Sequence, residues 1–282
     1  MTTADDLRRP ATRAGSPPAS HQVRRWLSRN AIRLYAVLAF GYLFIPVAYT
    51  FIYSFNDSGK SNLNWRGFTT DKWANPCGAP DVCTALTNSL KIGLVATIVS
   101  TALGTMVAFA LARHRFRGRS GTNLVIFLPM ATPEVVLGAS LLALFLNLGV
   151  NLGLGTIIIA HVMFCISFVV VTVKARLASL DPSLEQAAMD LYANEFQTFR
   201  RITLPLVAPG VVAGALLAFS LSFDDFIITN FNSGGVNTFP KFVWVSSLRG
   251  IPAQANVIGS AMFFVALFSV LLAQLVAGRR RA

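Results

Sequence analysis

Three carboxylates stand where carboxylates are rare. Glu134 lies in "LPMATPEVVLGASLLALF" and the adjacent pair Asp224 and Asp225 in "SFDDFIITNF", both within long apolar stretches. A charge at the centre of a bilayer costs on the order of 2.5–3.5 kcal/mol on insertion scales, so such residues usually face a water-filled cavity or a partner. Glu134 follows Pro129 and Pro133, which lack amide hydrogens and can break or kink a helix, freeing carbonyls beside the carboxylate. The aspartates precede Thr229, Asn230 and Asn232, a polar run near the end of their stretch. In one reading the three acids line an aqueous path and attract a cationic solute. In the other they pair with Lys241 or Arg249, or sit at the water interface, where charge is tolerated.

Other chemistry finds little support. "SGKS" at residues 58–61 faintly echoes a phosphate-binding loop, but Ser54 stands where that loop needs its first glycine, so the chain is not expected to hydrolyse a nucleotide. His114 and His161 have no Cys, His or carboxylate at ligand spacing, so no metal site is expected. Cys165 lies within an apolar stretch and reads as a small packing residue. Cys77 and Cys83, in "WANPCGAPDVCTA", could form a disulfide closing a short Gly/Pro loop in an oxidising compartment, or remain two free thiols.

The elements that hold these residues follow from composition. Of 282 residues, 54% are hydrophobic and 13% charged, with mean hydropathy +0.58; soluble domains carry about 25% charged residues. A bilayer core about 30 Å thick takes about 20 apolar residues as helix. Six stretches meet that length, at 34–53, 92–112, 124–146, 154–173, 206–231 and 257–278. An all-α polytopic membrane protein is predicted. Eighteen of the 24 Lys and Arg residues fall on one side of these spans, in residues 8–33, 113–119, 174–201 and 279–281; Lys60, Arg66, Lys72, Lys91, Lys241 and Arg249 fall on the other. The positive-inside rule then places both termini in the cytoplasm. The net charge of +12 marks the inner membrane face, and no nucleic-acid partner is expected. Residues 1–30, rich in Pro, Ser, Ala and Arg, are predicted to be a disordered tail, and 279–282 a short cytoplasmic one.

Between the fourth and fifth spans lies "EQAAMDLYANEFQTFRRITLPL". Asp181, Pro182 and Ser183 make a turn with Glu185 soon after, and Leu184, Ala187, Ala188 and Leu191 recur at helical steps. An amphipathic helix is predicted. Its stripe is small-sided at the two alanines, and Glu185, Asp190 and Glu195 give it mixed charge. Anionic lipid would repel those acids, which favours docking on a soluble partner over lying on headgroups.

This segment, 182–205, resembles the signature loop of binding-protein-dependent ABC importer permeases: Glu-Ala-Ala, three residues, Gly, nine residues, then Ile-x-Leu-Pro. Ala187 and Ala188 hold the paired alanines, and Ile202, Leu204 and Pro205 fall in register. Gln186 stands at the acid's position with Glu185 just before it, and Tyr192, followed by Ala193, replaces the glycine, which puts a turn requiring positive φ in question. Over residues 30–278 the chain looks like the spermidine/putrescine branch, especially its second permease. The resemblance implies the type I permease architecture and a heterodimer of two permeases in the inner membrane. It further implies two cytoplasmic ATPase subunits that hold ATP and Mg, and an external solute-binding protein. This chain itself would carry no cofactor. In that family the cytoplasmic helix fits a groove on the ATPase, so Leu184–Ala193 with Ile202, Leu204 and Pro205 become the coupling element. The membrane acids then serve the solute path or pair with the second permease.

Two further features are less specific. Gly210 and Gly214 make a small-xxx-small pair suited to close helix packing, and the segment around Trp244 reads as an outward interfacial helix. The leading solute is a polyamine; a sugar, iron complex or anion is the alternative. A secondary transporter would show internal repeats in its broken spans, and none is evident. A scaffold has no need of the spaced cytoplasmic helix.

Overall fold

The computed structural model describes residues 19–59 and 61–279, with side-chain surroundings for 30–59 and 61–271. The elements in chain order are α1 (Ala19–Tyr53), α2 (Asp71–Ala74), α3 (Val82–Arg113), α4 (Arg119–Ala131), α5 (Glu134–Asn147) and α6 (Leu154–Ala178). There follow α7 (Ser183–Asp190), α8 (Glu195–Thr198), a π-helical turn (Phe199–Thr203), α9 (Leu204–Asp224), α10 (Ile227–Asn232), α11 (Phe239–Arg249) and α12 (Ala253–Arg279). Extended structure among the described residues amounts to one isolated antiparallel bridge, Asn56 to Phe68.

Among the described residues, five helical segments are long and apolar enough to cross a membrane, and α4 with α5, which meet at a 108° bend, make a sixth when counted together as one broken span. The chain divides between Ile52 and Tyr53. In the first part, α1 begins at Ala19, inside the segment expected to be disordered; residues 1–18 and 280–282 of the expected tails lie outside the described residues. From Ala19 to Arg33 there is no Pro or Gly, so an apolar helix once formed propagates back through the arginines.

In the second part, α3, α6 and α9 make the core. Small residues on α3 recur at three- and four-residue steps on its buried face: Ala85, Ser89, Gly93, Ala96, Ser100, Gly104 and Ala108. In lipid, helices associate through close packing rather than the hydrophobic effect, and small residues allow it. A Cβ on Gly104 would lie 2.8 Å from Val169 Cβ, and one on Gly210 would lie 2.6 Å from Arg176 Cβ. Gly210 and Gly214 therefore serve the α6–α9 contact. At that end Arg176 Nε donates to the Leu206 carbonyl at 3.0 Å. At the opposite end, Asn88 donates to the Asn237 carbonyl at 2.9 Å, and Ser89 Oγ accepts the Phe239 amide hydrogen at 2.9 Å. Cys77 and Cys83 are joined as a disulfide beside the start of α3. Trp244 of α11 packs on Phe226 with ring centroids 5.1 Å apart.

Candidate functional site

Two helices break at the same place. Thr132 is extended, with φ −83° and ψ 133°, because the Pro133 ring excludes the helical region for the residue before it. Pro133 then caps α5, and its carbonyl accepts the Val136 and Leu137 amides at 2.9 and 3.1 Å. Pro129, by contrast, stays inside α4. Glu134 is the first residue of α5, where the helix dipole favours a carboxylate.

The second break separates α9 from α10, so the fifth span ends seven residues earlier than 231, the end read from the sequence. Asp224 ends α9, and Asp225 is extended, with φ −64° and ψ 125°. Its carboxylate accepts the amide hydrogens of Ile228 at 3.3 Å and Thr229 at 2.8 Å. These bonds compensate donors left free when a helix restarts. One turn along α5 from Glu134, a Cβ on Gly138 would lie 2.9 Å from the Phe231 ring and 3.4 Å from Ile228 Cα. Asn232 donates to the Gly138 carbonyl at 3.3 Å and to the Ile228 carbonyl at 2.9 Å. Close packing of α10 on α5 thus brings the three acids into one region.

The two aspartates have opposite surroundings. Asp224 and Glu134 are exposed, whereas Asp225 is buried against His161 of α6, with Nε2 to Oδ2 at 3.2 Å. Neither Lys241 nor Arg249 pairs with an acid among the described residues; Lys241 Nζ donates to Ser233 Oγ at 2.6 Å. His161, for which spacing along the chain offered no partner, therefore has a carboxylate partner at the break between α9 and α10. A lone histidine in one apolar span and an acid in another were the available signal, since each relieves the other's burial.

The second cluster lies where α3 ends and α9 begins. Asp181 Oδ1 accepts the Ser183 amide hydrogen at 2.9 Å, and this bond, with one from the Ser183 side chain, holds its carboxyl below the usual range. On α7, Glu185 and Ala188 are half-buried, while Leu184, Gln186, Ala187, Met189 and Asp190 are exposed. Glu185 Oε1 bonds Arg113 at the end of α3 and accepts the Thr203 hydroxyl at 2.7 Å. Beside this link lies a cavity of about 620 Å³ whose lining includes Met106, Phe109, Met189 and Phe199. Asn194 and Gln197 form a reciprocal capping box that starts α8, with Asn194 Oδ1 accepting the Gln197 amide at 2.8 Å. Ile202 lies in the π-helical turn, and Leu204 and Pro205 open α9.

Tyr192 ends α7 in a Schellman arrangement. Its amide donates to the Met189 carbonyl at 2.9 Å and that of Ala193 to the Ala188 carbonyl at 3.1 Å. The motif needs a left-handed residue at its turn, and Tyr192 adopts φ +64° there. For a residue with a Cβ that conformation costs about 1–2 kcal/mol. Replacing Tyr192 with glycine should therefore preserve both bonds and slow amide exchange across 183–193 by several-fold, as read by hydrogen–deuterium exchange.

The described residues thus combine broken apolar helices around a charged region with a short amphipathic helix between candidate spans. Residues 100–281 match the family described as "Binding-protein-dependent transport system inner membrane component", and the chain belongs to that family. Within it, the chain is 35% identical over 239 residues to the spermidine/putrescine transport system permease protein PotC of Escherichia coli K12, covering 84% of this chain and 90% of that one. It is 38% identical over 232 residues to the putrescine transport system permease protein PotI of the same strain, covering 79% and 82%. The fold matches a chain of a bacterial ABC transporter involved in alginate import, with TM-score 0.64 and 16% identity over 93% of this chain and 98% of that one. The chain is an ABC importer permease subunit of the spermidine/putrescine-type branch.

Proposed function

We propose that this permease forms half of the translocation path for a polyamine, entering as a polycation, and takes its motion from a separate cytoplasmic ATPase docked on α7. A second permease supplies the other half of the path, two ATPase subunits hold ATP and Mg, and an extracytoplasmic binding protein delivers the solute. Both termini face the cytoplasm.

The chief support is the pair Glu134 and Asp224. Both are exposed at helix breaks, and no Lys, Arg or His pairs with either among the described residues. Irregular backbone at membrane depth is tolerated where it is buried in protein or lines a water-filled cavity. Two uncompensated carboxylates beside such breaks suit a solute that carries separated ammonium groups. The docking half rests on α7, whose Leu184 and Ala187 face away from the rest of the chain while Glu185 ties it down.

Uptake of labelled spermidine and putrescine by vesicles holding the reconstituted complex tests this. Glu134→Gln and Asp224→Asn are each expected to raise KM about tenfold, equivalent to ~1.4 kcal/mol of solute binding. Unchanged uptake in both variants would remove the acids from the path.

A further inference from the structure

His161 sits at the junction of three elements without touching the exposed acids. It is 2% exposed, on α6 at the centre of the core. Its Nδ1 lies 2.7 Å from Ser222 Oγ near the end of α9; its Nε2 lies 3.0 Å from Thr229 Oγ1 of α10 and 3.2 Å from Asp225 Oδ2 between them. One ring thus spans the α9–α10 break from both sides. The Nε2–H tautomer satisfies all of these groups: it donates to the carboxylate and the Thr229 oxygen, while the Ser222 hydroxyl donates to Nδ1. Thr156 on the same helix adds a second tie, donating to the Asn232 carbonyl at 2.7 Å.

Asp224, the last helical residue of α9, is exposed, whereas Asp225, extended at the break, is buried. Whatever holds Asp225 inward therefore also keeps Asp224 outward. We infer that His161 is a positioning residue: by holding Asp225 and Thr229 it sets the α9–α10 break in the one arrangement that presents Asp224, and not Asp225, to the solute. This rests on the proposed path for a cation at Asp224. Without His161, Asp225 keeps the Ile228 and Thr229 amides but loses its imidazole partner, and turning the carboxylate toward water relieves the cost of burying it less than fully paired. The break would then rotate, and the acid offered to the path would change.

The test needs a readout that does not depend on the solute. In the assembled complex, Asp224→Cys is treated with a small cationic, membrane-impermeant methanethiosulfonate. With His161 intact, Asp224→Cys is expected to react and Asp225→Cys to stay protected. In a His161→Leu background, labelling of Asp224→Cys should fall at least fivefold. Glutamine places an amide nitrogen near the former Nε2, and asparagine places one near the former Nδ1. His161→Gln should therefore restore labelling and the uptake KM, while His161→Asn should behave as leucine does. That contrast separates positioning from a general demand for a polar group, and it stands even if the leucine variant does not assemble.

Each result decides something. If Asp224→Cys reacts equally with histidine, asparagine and glutamine at 161, the positioning role is overturned while the path reading survives. If Asp224→Cys is unreactive with His161 present, the path reading itself fails. If labelling follows the expected order but polyamines do not compete with the reagent, the positioning role stands and the solute assignment falls.

Discussion

Replacing Ala187 with arginine is expected to abolish ATPase co-purification and bring uptake to background, while the two permeases stay together in the membrane. The reason lies in which side of α7 is free. Glu185 faces the chain's own α3 and π-helical turn, and Ala188, three residues on, is half-buried. Leu184, Ala187 and Leu191 share another face and are exposed, Leu191 by 81%. An apolar face turned away from its own protein requires a covering surface. Alanine lets that surface approach the helix backbone; an arginine there holds it several ångströms off and brings in a charge that must be desolvated. Ala187→Ser, which keeps the size, should change uptake less than twofold. Pull-down of the ATPase with tagged permease, alongside uptake, reads both effects. The lipid alternative has the opposite sign, since an added arginine strengthens binding to anionic headgroups. Retained or enhanced assembly in Ala187→Arg would therefore remove the docking role.

Helix α7 was legible because its signals are local: Asp181, the alanine pair and the apolar residues at helical steps all lie within one short segment. So were the spans, because chain length in a bilayer is set by a thickness. What stayed hidden depends on contacts between distant segments. The third span shows enough apolar residues to cross, and only the extended Thr132 before Pro133 turns it into two helices at 108°. The fifth span reads as continuous to Phe231 because hydropathy does not register that Asp225 restarts a helix by accepting the Ile228 and Thr229 amides. The partner of His161 lies in the break between α9 and α10, which spacing along one helix cannot reveal. Tyr192 is the converse case. The sequence raised a conflict between residue type and positive φ, and the fold keeps the left-handed turn with its strain, held by two backbone bonds.

Glu185 gives the second large effect, on coupling rather than assembly. As an isolated ion pair, Arg113 with Glu185 would contribute little, since both side chains are partly exposed, at 30% and 23%. Here, however, one carboxylate also accepts the Thr203 hydroxyl, so it joins the end of α3, helix α7 and the turn leading into α9. Any displacement of α7 by a docked ATPase is then shared by α3 and α9, two of the three core helices. Glu185→Arg sets two guanidinium groups against each other and leaves the hydroxyl without its acceptor. The ATPase should still dock on the opposite face of α7 and hydrolyse ATP, but uptake should fall at least tenfold, which is the signature of an uncoupled machine. Arg113→Glu should do the same through carboxylate repulsion. Combining the two restores opposite charges but moves the carboxylate onto α3, away from Thr203. The double variant should therefore recover most of the uptake yet stay about two- to threefold below wild type, and Thr203→Val alone should show that same residual deficit. The ratio of solute moved to ATP hydrolysed in reconstituted vesicles is the measurement. Normal ratios in both single variants would show that the carboxylate carries no motion between the helices.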